Sequence, residues 1–253
     1  MRERDMKSAA AGVIAMVVIA VALAVAWQQH PDDRVLLWSD EFNGSAGALP
    51  DRANWSEEEG YERNDELQTY TVGDPRTASM DGLGSLRITV QPDYTSGSLT
   101  SQGRREFRYG YFEARIRTDS TMGIWPAWWL EGSTGDWPEH GEIDILERVD
   151  NDRGTSFSVH GGLPLWTRDA YAPEQLTGWH TYAARVSPGQ VDFYLDGELR
   201  HSVSKGGLNW PFDKGRLFMR LNLAFGGTWP DGPDSTTALP ASMEIDYVRV
   251  YAL

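Results

Sequence analysis

Three acidic residues lie within six positions of an otherwise aliphatic stretch, Glu142-Ile143-Asp144-Ile145-Leu146-Glu147. Because side chains alternate along a β-strand, Glu142 and Asp144 share one face, whereas Glu147 should point to the other. A β-bulge between Asp144 and Glu147 would return Glu147 to the acidic face, and bulges are enriched next to active sites. The stretch therefore predicts a bulged strand that projects two glutamates into one cleft.

Two carboxyl groups that flank one cleft can cleave a glycosidic bond. A separation of roughly 5 Å is typical of enzymes that retain the anomeric configuration, and a wider gap is typical of inverting enzymes. After the bulge, the Cα atoms of Glu142 and Glu147 would be about 13 Å apart at ~3.3 Å per residue, so their side chains must lean toward each other. The charge of Asp144 between them can raise one glutamate's affinity for its proton.

The chain contains a second copy of the same triplet, Glu244-Ile245-Asp246. Tyr247-Val248-Arg249 follows it, and no second glutamate appears there. Charged outer faces are common on strands. The triplet alone is therefore weak evidence for a site, and the argument depends on Glu147.

The elements around the acids are predicted to form a hairpin. Residues 150 to 154 have turn chemistry, and residues 155 to 160 alternate like a returning strand. Centring the hairpin on Asn151 places Glu142 opposite His160, and directly opposed residues share a face. We therefore expect His160 to lie beside the acids.

The rest of the chain reads as short strands separated by turns. Asp196-Gly197 between two alternating segments is a strong hairpin signal. No long amphipathic helix is expected after residue 27, and the pattern favours a β-sandwich. The other predicted strands are Leu86 to Gln91, Tyr109 to Arg117, Thr181 to Val186, Val191 to Leu195, Leu217 to Ala224 and Met243 to Tyr251.

Residues 9 to 27 are almost entirely apolar and follow three basic residues, which is typical of an export signal. The segment is either an uncleaved anchor helix or a cleaved signal peptide, and in both cases the rest of the chain crosses the membrane. We therefore divide the chain into an N-terminal segment at 1–27, a short linker at 28–34 and one domain at 35–253. With no cysteine, this domain cannot form disulfides.

The charge distribution limits the partners. The formal net charge of the whole chain is −14. The first seven residues carry three basic and two acidic side chains, a net charge of +1, so the remaining residues carry −15. Nucleic acid and anionic polysaccharides are poor partners for such a surface, whereas a neutral glycan is not repelled. We expect a monomer that meets the membrane only through its N-terminal segment.

Several segments around the acids resemble glycoside hydrolase family 16, especially its bacterial laminarinase-like endo-β-1,3-glucanases. The resemblance extends from Trp38 to Tyr251, and the acids match the family motif E-x-D-x-x-E. Besides the acids and the preceding Gly141, it is carried by Trp38-Ser39-Asp40-Glu41-Phe42, Asn64-Asp65-Glu66-Leu67-Gln68, Tyr109-Gly110-Tyr111-Phe112-Glu113-Ala114-Arg115, Gly123-Ile124-Trp125-Pro126-Ala127-Trp128-Trp129, Trp137-Pro138 and Asp246-Tyr247-Val248-Arg249-Val250-Tyr251.

The resemblance implies an all-β jelly-roll sandwich of two curved antiparallel sheets with a concave substrate cleft, preceded here by an N-terminal apolar helix. It implies that Glu142 is the nucleophile, that Glu147 is the general acid and base, and that Asp144 supports the pair. No cofactor is implied for catalysis. The residues that it implies for sugar binding are Asn64, Glu66, Trp125, Trp129, Trp137 and His160. The acidic residues at 57–59 and 65 depart from the family pattern near Asn64 and Glu66.

The family often has a structural calcium site, to which Glu41, Gly84 and Asp246 correspond. Carboxylate and backbone oxygens suit calcium, and such a site would stabilise a domain without disulfides. The alternative is that Glu41 and Asp246 are unrelated surface acids.

The function implied is endo-hydrolysis of a β-1,3-linked glucan with retention of configuration. Alternatives within the family are cleavage of a β-galactan or a mixed-linkage glucan, and glycosyl transfer. A non-catalytic polysaccharide-binding protein is the alternative from another class, and the presence of both glutamates disfavours it.

Overall fold

The computed structural model describes residues 34–60 and 63–253. Contacts between Cα atoms divide the chain into two units, Met1–Val35 and Leu36–Leu253. The predicted N-terminal segment at 1–27, its apolar helix and all of the linker except residue 34 lie outside the described residues. In the part that is described, no helix has the length and apolarity needed to cross a membrane.

All regular elements of the described residues are β-strands, as the sequence predicts. Their bounds are β1 (Leu36–Asp40), β2 (Ser56–Glu57), β3 (Thr69–Tyr70), β4 (Ala78–Met80), β5 (Leu86–Val90), β6 (Thr95–Ser96), β7 (Ser98–Thr100), β8 (Gly110–Thr118), β9 (Ile124–Gly132), β10 (Glu142–Glu147), β11 (Thr155–Gly161), β12 (Trp166–Ala172), β13 (His180–Ser187), β14 (Gln190–Leu195), β15 (Glu198–Ser204), β16 (Leu217–Phe225) and β17 (Ala241–Tyr251). Each strand predicted from alternation appears within two residues of its expected bounds.

Two large antiparallel sheets form the fold. The eight-stranded sheet has the order β15-β14-β13-β8-β17-β5-β4, and β1 pairs with the carboxyl-terminal half of β17. The seven-stranded sheet has the order β12-β11-β10-β9-β16-β7-β2. A short parallel pair joins β3 to β6. The predicted two-sheet antiparallel fold is therefore confirmed for the described residues.

The hydrophobic core lies between the two large sheets because each strand turns its apolar residues to one side. On β17 the inward residues Met243, Ile245, Val248 and Val250 are fully buried. The rings of Phe157 on β11 and Phe193 on β14 meet across the layers with their centroids 5.4 Å apart. Burying a large apolar side chain of this kind contributes roughly 2–3 kcal/mol, so the core can stabilise a domain that has no disulfide.

Both predicted hairpins are present. Asp196 and Gly197 form a two-residue loop between β14 and β15, with φ values of 51° and 79°. Positive φ at both positions is the geometry that a tight hairpin turn requires, and Asp-Gly favours it. The second hairpin joins β10 to β11 and carries the acidic residues.

Candidate active site

The acidic strand β10 lies inside the seven-stranded sheet, between β9 and β11. Glu142 pairs with His160 and Asp144 pairs with Ser158, whereas Glu147 pairs with Ser156. Three residues of β10 thus advance against two of β11, and the register against β9 also shifts between Asp144 and Leu146. The predicted bulge is confirmed, and so is the pairing of Glu142 with His160.

Burial along β10 gives the direction of each side chain. Ile143, Ile145 and Leu146 are fully buried in the core between the sheets. Two consecutive core residues, Ile145 and Leu146, are the signature of the extra residue in the bulge. Glu142 and Glu147 are only partly exposed and lie on the opposite face of the strand.

A glycine is needed directly before the acids. Gly141 has a φ of +81°, and a Cβ atom there would lie 2.5 Å from both Phe212 and Pro211. Any other residue would combine backbone strain with a steric clash. Gly141 therefore allows the chain to enter β10 close to the packed segment at 211–212.

The three carboxyl groups share one buried environment. Burial is the main cause that raises the pKa of Glu142 to about 8, and the charge of Asp144 adds to it. Burial likewise raises the pKa of Asp144, and burial with the charge of Asp144 raises that of Glu147 well above its usual range. Because each ionised carboxylate raises the pKa of the next, the cluster retains protons near neutral pH.

His160 lies beside this cluster. Its Nε2 lies 3.2 Å from Oδ2 of Asp144, at ion-pair distance although not aligned as a hydrogen bond. Its Nδ1 faces Oγ1 of Thr167 at 2.9 Å. One carboxylate oxygen of Glu142, one of Asp144 and a ring nitrogen of His160 all lie within 4.8 Å of one another. When protonated, His160 opposes the rise in pKa at Glu142 and Glu147.

Two tryptophans of β9 lie on the acidic face, as predicted. Trp125 Nε1 donates a hydrogen bond of 3.1 Å to Oε1 of Glu147. Trp129 is directly opposite Asp144 and donates through Nε1 to Oδ1 of Asn222 at 2.7 Å. Trp128, between them, is fully buried in the core. The alternation that separates these three rings is therefore confirmed.

The other residues predicted to bind sugar lie on loops. Trp137 is 46% exposed and lies between β9 and β10. Asn64 Nδ2 donates to Oε1 of Glu66 at 3.3 Å, and the Asn64 carbonyl accepts from the backbone N–H of Thr228, just beyond β16. Burial raises the pKa of Glu66. These loop residues are not in hydrogen-bonding contact with the three acids, so their predicted role in sugar binding stays a prediction.

Sequence reasoning missed residues that the fold brings to this face from distant positions. The ring of Trp229 packs edge-on against Trp125 with centroids 5.3 Å apart, and it is 43% exposed. Glu131 on β9 is directly opposite Glu142. Arg220 on β16 places its guanidinium 5.0 Å from the centre of the Trp129 ring. Alternation along β9 would have put Glu131 on the face of Trp125 and Trp129, whereas the approach of Arg220 had no sequence signal.

The residues predicted to bind calcium are held differently. Both carboxylate oxygens of Glu41 accept hydrogen bonds from Arg249, at 2.9 and 2.7 Å, and the pKa of Glu41 is lowered by that pairing. Asp246 is paired with Arg115 on β8 at 2.5 Å. Calcium needs carboxylate oxygens that converge on the ion. Because each carboxylate is already bound by an arginine, the set as arranged does not fit calcium, and the site stays a prediction.

A glycoside hydrolase needs two carboxyl groups on one face of its cleft, and aromatic rings beside them can pack against the sugar. The two glutamates, the third acid and the tryptophans of this face meet that description. The comparisons with known proteins agree with this class. Residues 64–249 match the family model "Glycosyl hydrolases family 16". The chain belongs to this family.

Curated relatives and solved structures support the same assignment. A keratan-sulfate endo-1,4-β-galactosidase of Sphingobacterium multivorum is 35% identical over 87% of this chain and 56% of its own length. A β-glucanase of Rhodothermus marinus is 34% identical over 85% of this chain and 84% of its own length. The laminarinase catalytic domain of Thermotoga maritima superposes with a TM-score of 0.78 at 33% identity, covering 88% of this chain and 99% of that domain.

Proposed function

We propose that this protein is a retaining endo-glycosidase that hydrolyses β-1,3-glucosidic bonds in laminarin-like β-glucans. The observation that carries the proposal is the bulged register of β10, which puts Glu142, Asp144 and Glu147 on one face. Membership of the family and the likeness to a laminarinase domain over nearly its whole length support the substrate class.

The reaction proceeds in two displacements. In the first, a carboxylate oxygen of Glu142 attacks the anomeric carbon while the glycosidic bond breaks and its oxygen takes the proton of Glu147. In the second, Glu147 takes a proton from water, whose oxygen attacks the same carbon and releases Glu142. Each step inverts the carbon, so the product retains its configuration.

Both glutamates lie in surroundings that shift their pKa values. Positive charge on both Arg63 and His160 opposes the rise in pKa of Glu142. Burial is the main cause that raises the pKa of Glu147, and the charges of Asp144 and Glu142 add to the rise. The roles follow the family motif, in which the first glutamate is the nucleophile and the last is the general acid and base. The nucleophile must be ionised and the acid must hold its proton when the glycosidic bond breaks. Asp144 lies between them and couples their charges.

A β-galactan is the second candidate substrate, favoured by the similarity to the keratan-sulfate endo-1,4-β-galactosidase. The net charge of −15 after the first seven residues disfavours its sulfated forms through repulsion. A mixed-linkage glucan and glycosyl transfer are the remaining alternatives. The products distinguish all of them.

The experiment incubates the purified full chain with laminarin, a mixed-linkage glucan, an unsulfated β-galactan and keratan sulfate, and separates the products by size. The proposal expects early oligosaccharides of mixed length from laminarin, as internal cleavage produces. A protein that cuts a galactan and leaves laminarin untouched would contradict it. The matched control is Glu142→Gln, which should bind laminarin without cutting it.

Action outside the cytoplasm remains part of the proposal, because a polysaccharide cannot diffuse across a membrane to an enzyme inside. It rests on the apolar residues 9–27, which are either an anchor or a cleaved signal. Fractionation of producing cells followed by N-terminal sequencing distinguishes the two. Recovery of the active chain in the cytoplasm would contradict both.

A further inference from the structure

A buried group of charges lies beside the predicted nucleophile and is not used by the proposed mechanism. Its centre is Glu131, which is 3% exposed. Oε2 of Glu131 accepts a hydrogen bond of 2.8 Å from Nε of Arg220, and Oε1 lies 2.9 Å from Nε2 of His140. Arg220 also donates to both carboxylate oxygens of Glu58, at 2.5 and 2.6 Å.

Strand register brings this group close to the reaction centre. Glu131 is directly opposite Glu142 across β9 and β10. Directly opposed residues share one face of a sheet, with about 5 Å between their Cβ atoms. A charge on Glu131 is therefore close enough to Glu142 to disfavour its ionisation. The guanidinium of Arg220 is hydrogen-bonded to Glu131 and offsets that charge, and the ring of His140 lies beside the same carboxylate.

Burial makes the balance of these charges matter. An ion pair on the surface is screened by water, whereas a charge in a buried site acts on its neighbours with little screening. Both Glu131 and Arg220 are buried, with 4% and 7% of their side chains exposed. Removal of either partner would therefore change the electrostatic potential at Glu142, and the two removals would change it in opposite directions.

We propose that Glu131, held between Arg220 and His140, is a positioning residue of the hydrolysis, and that the balance of charge between Glu131 and Arg220 adjusts how readily Glu142 gives up its proton. The inference rests on the proposed function for its consequence in catalysis. The charge state of Glu142 can nevertheless be measured without any substrate. Failure of one claim is therefore distinguishable from failure of the other.

The other charged groups that face Glu142 must remain in place in any test. Burial is the main cause of its raised pKa; Asp144 and Glu131 add to the rise, whereas His160 and Arg63 oppose it. By element, the surrounding groups are Asp144 and Glu147 on β10, His160 on β11, Glu131 on β9, Arg220 on β16, Arg63 and Glu58 between β2 and β3, and His140 before β10.

The experiment is a pH titration of the Glu142 carboxyl by NMR of the full chain with ¹³C-labelled glutamate, assigned as the signal that Glu142→Gln lacks. Glu131→Gln removes the negative charge and leaves Arg220 paired with Glu58. We expect the midpoint of Glu142 to fall by about one pH unit, a tenfold change in its ionisation constant. The acidic limb of kcat/KM on laminarin should move by the same amount.

Arg220→Met should have the opposite effect, because it leaves the charge of Glu131 next to Glu142 without its main counterion. The midpoint of Glu142 is expected to rise, and the double variant Glu131→Gln with Arg220→Met should return toward the wild-type value. Glu58→Gln is the matched control: it removes the other carboxylate bound by Arg220, and we expect less than about half of the shift seen for Glu131→Gln.

The signs of the shifts decide the outcome. A merely structural role would lower activity in both single variants without moving the midpoint in opposite directions. An unchanged or raised midpoint in Glu131→Gln overturns the proposal, and this variant decides alone if Arg220→Met does not fold. If wild-type protein cuts no glucan while the midpoints move as expected, the proposed function fails and the electrostatic role of Glu131 stands.

Discussion

The same triplet, Glu-Ile-Asp, occurs on two strands of this protein with opposite outcomes. In both copies the isoleucine, Ile143 or Ile245, is fully buried in the core. In both copies the register shifts at or just after the aspartate, on β10 relative to β9 and on β17 relative to β8. A buried isoleucine and a register shift therefore occur in both copies, and what the second copy lacks is a glutamate that the shift could bring onto the acidic face.

The neighbouring strands of the two triplets also differ. Glu244 is bound by Arg87 at 3.4 Å and by Arg117, and Asp246 is bound by Arg115. The guanidinium groups of Arg115 and Arg117 each lie 5.0 Å from the centre of the Trp179 ring. On this outer face, every acid of the triplet has an arginine partner.

The acids of β10 meet different neighbours. Asp144 faces Trp129 on one side and Ser158 on the other, and Glu142 faces Glu131 and His160. None of these four neighbours is an arginine, and the acids of β10 have no ion pair with an arginine among the described residues. Arginines neutralise the second triplet, whereas aromatic rings and a further acid keep the first triplet in a buried environment that raises its pKa values. The triplet itself does not perturb the pKa of its acids. Burial without an arginine partner raises the pKa of a carboxyl group, and such shifts are typical of catalytic sites.

The largest expected effect distinguishes the two glutamates that begin the triplets. Glu142→Gln keeps the shape of the side chain but removes the attacking oxygen, and we expect kcat on laminarin to fall by about 10⁴-fold or more. Glu244→Gln should stay within about twofold of wild type, because it changes only an arginine pair on the outer face. Steady-state kinetics checks both. Equal losses in the two variants would remove the basis of the comparison.

The second-largest effect is expected for substitution of Glu147, which has no counterpart after the second triplet. We expect Glu147→Gln to lower kcat by about 10²- to 10⁴-fold on laminarin, because the leaving oxygen then receives no proton. The loss should be much smaller for an aryl glucoside whose leaving group departs without a proton. An equal loss on both substrates would argue against Glu147 as the acid.

Stability should depend on pH through Glu142. Its pKa is about 8 in the folded protein against an ordinary value of 4.5. Because the folded state binds the proton more tightly, this carboxyl stabilises the fold fully below pH 4.5 and loses that contribution as the pH rises through about 8. Denaturant unfolding should therefore show a decrease of a few kcal/mol over this range, with a smaller decrease in Glu142→Gln. Glu244→Gln should keep most of the decrease, since Glu142 is intact.

The smallest effect concerns Asp246 of the second triplet. Since Arg115 and Arg249 occupy Asp246 and Glu41, we expect calcium or a chelator to change the Tm by less than about 2 °C. Differential scanning calorimetry measures this directly. A larger rise of the Tm with calcium, lost in Asp246→Asn, would establish the metal site that the sequence predicts. It would also show that calcium displaces the arginines from the two carboxylates.

Much of the site follows from local rules of the sequence. Strand alternation and the need for one extra residue predicted the bulge, and the turn centred on Asn151 predicted that Glu142 faces His160. The separation of Trp125 and Trp129 from Trp128 follows from alternation as well. These features depend on residues within about 20 positions of the acids, where spacing alone fixes the geometry.

Contacts between distant strands could not be predicted in the same way. Arg220 and Glu58 are 162 positions apart, and Trp229 reaches Trp125 from the loop after β16. Which strands become neighbours depends on the packing of the whole sandwich, and no local pattern encodes it. For the same reason, the sequence did not reveal that arginines from β8 and β5 bind the second triplet.

The stereochemistry of the first product tests the central claim most directly. ¹H NMR of laminarin in the first minutes of hydrolysis, before the anomers equilibrate, distinguishes the new β-anomer from the α-anomer. If Glu142 attacks the sugar and Glu147 serves first as acid and then as base, the new reducing end appears as the β-anomer. Initial release of the α-anomer would mean direct attack by water, and would contradict the role given to Glu142.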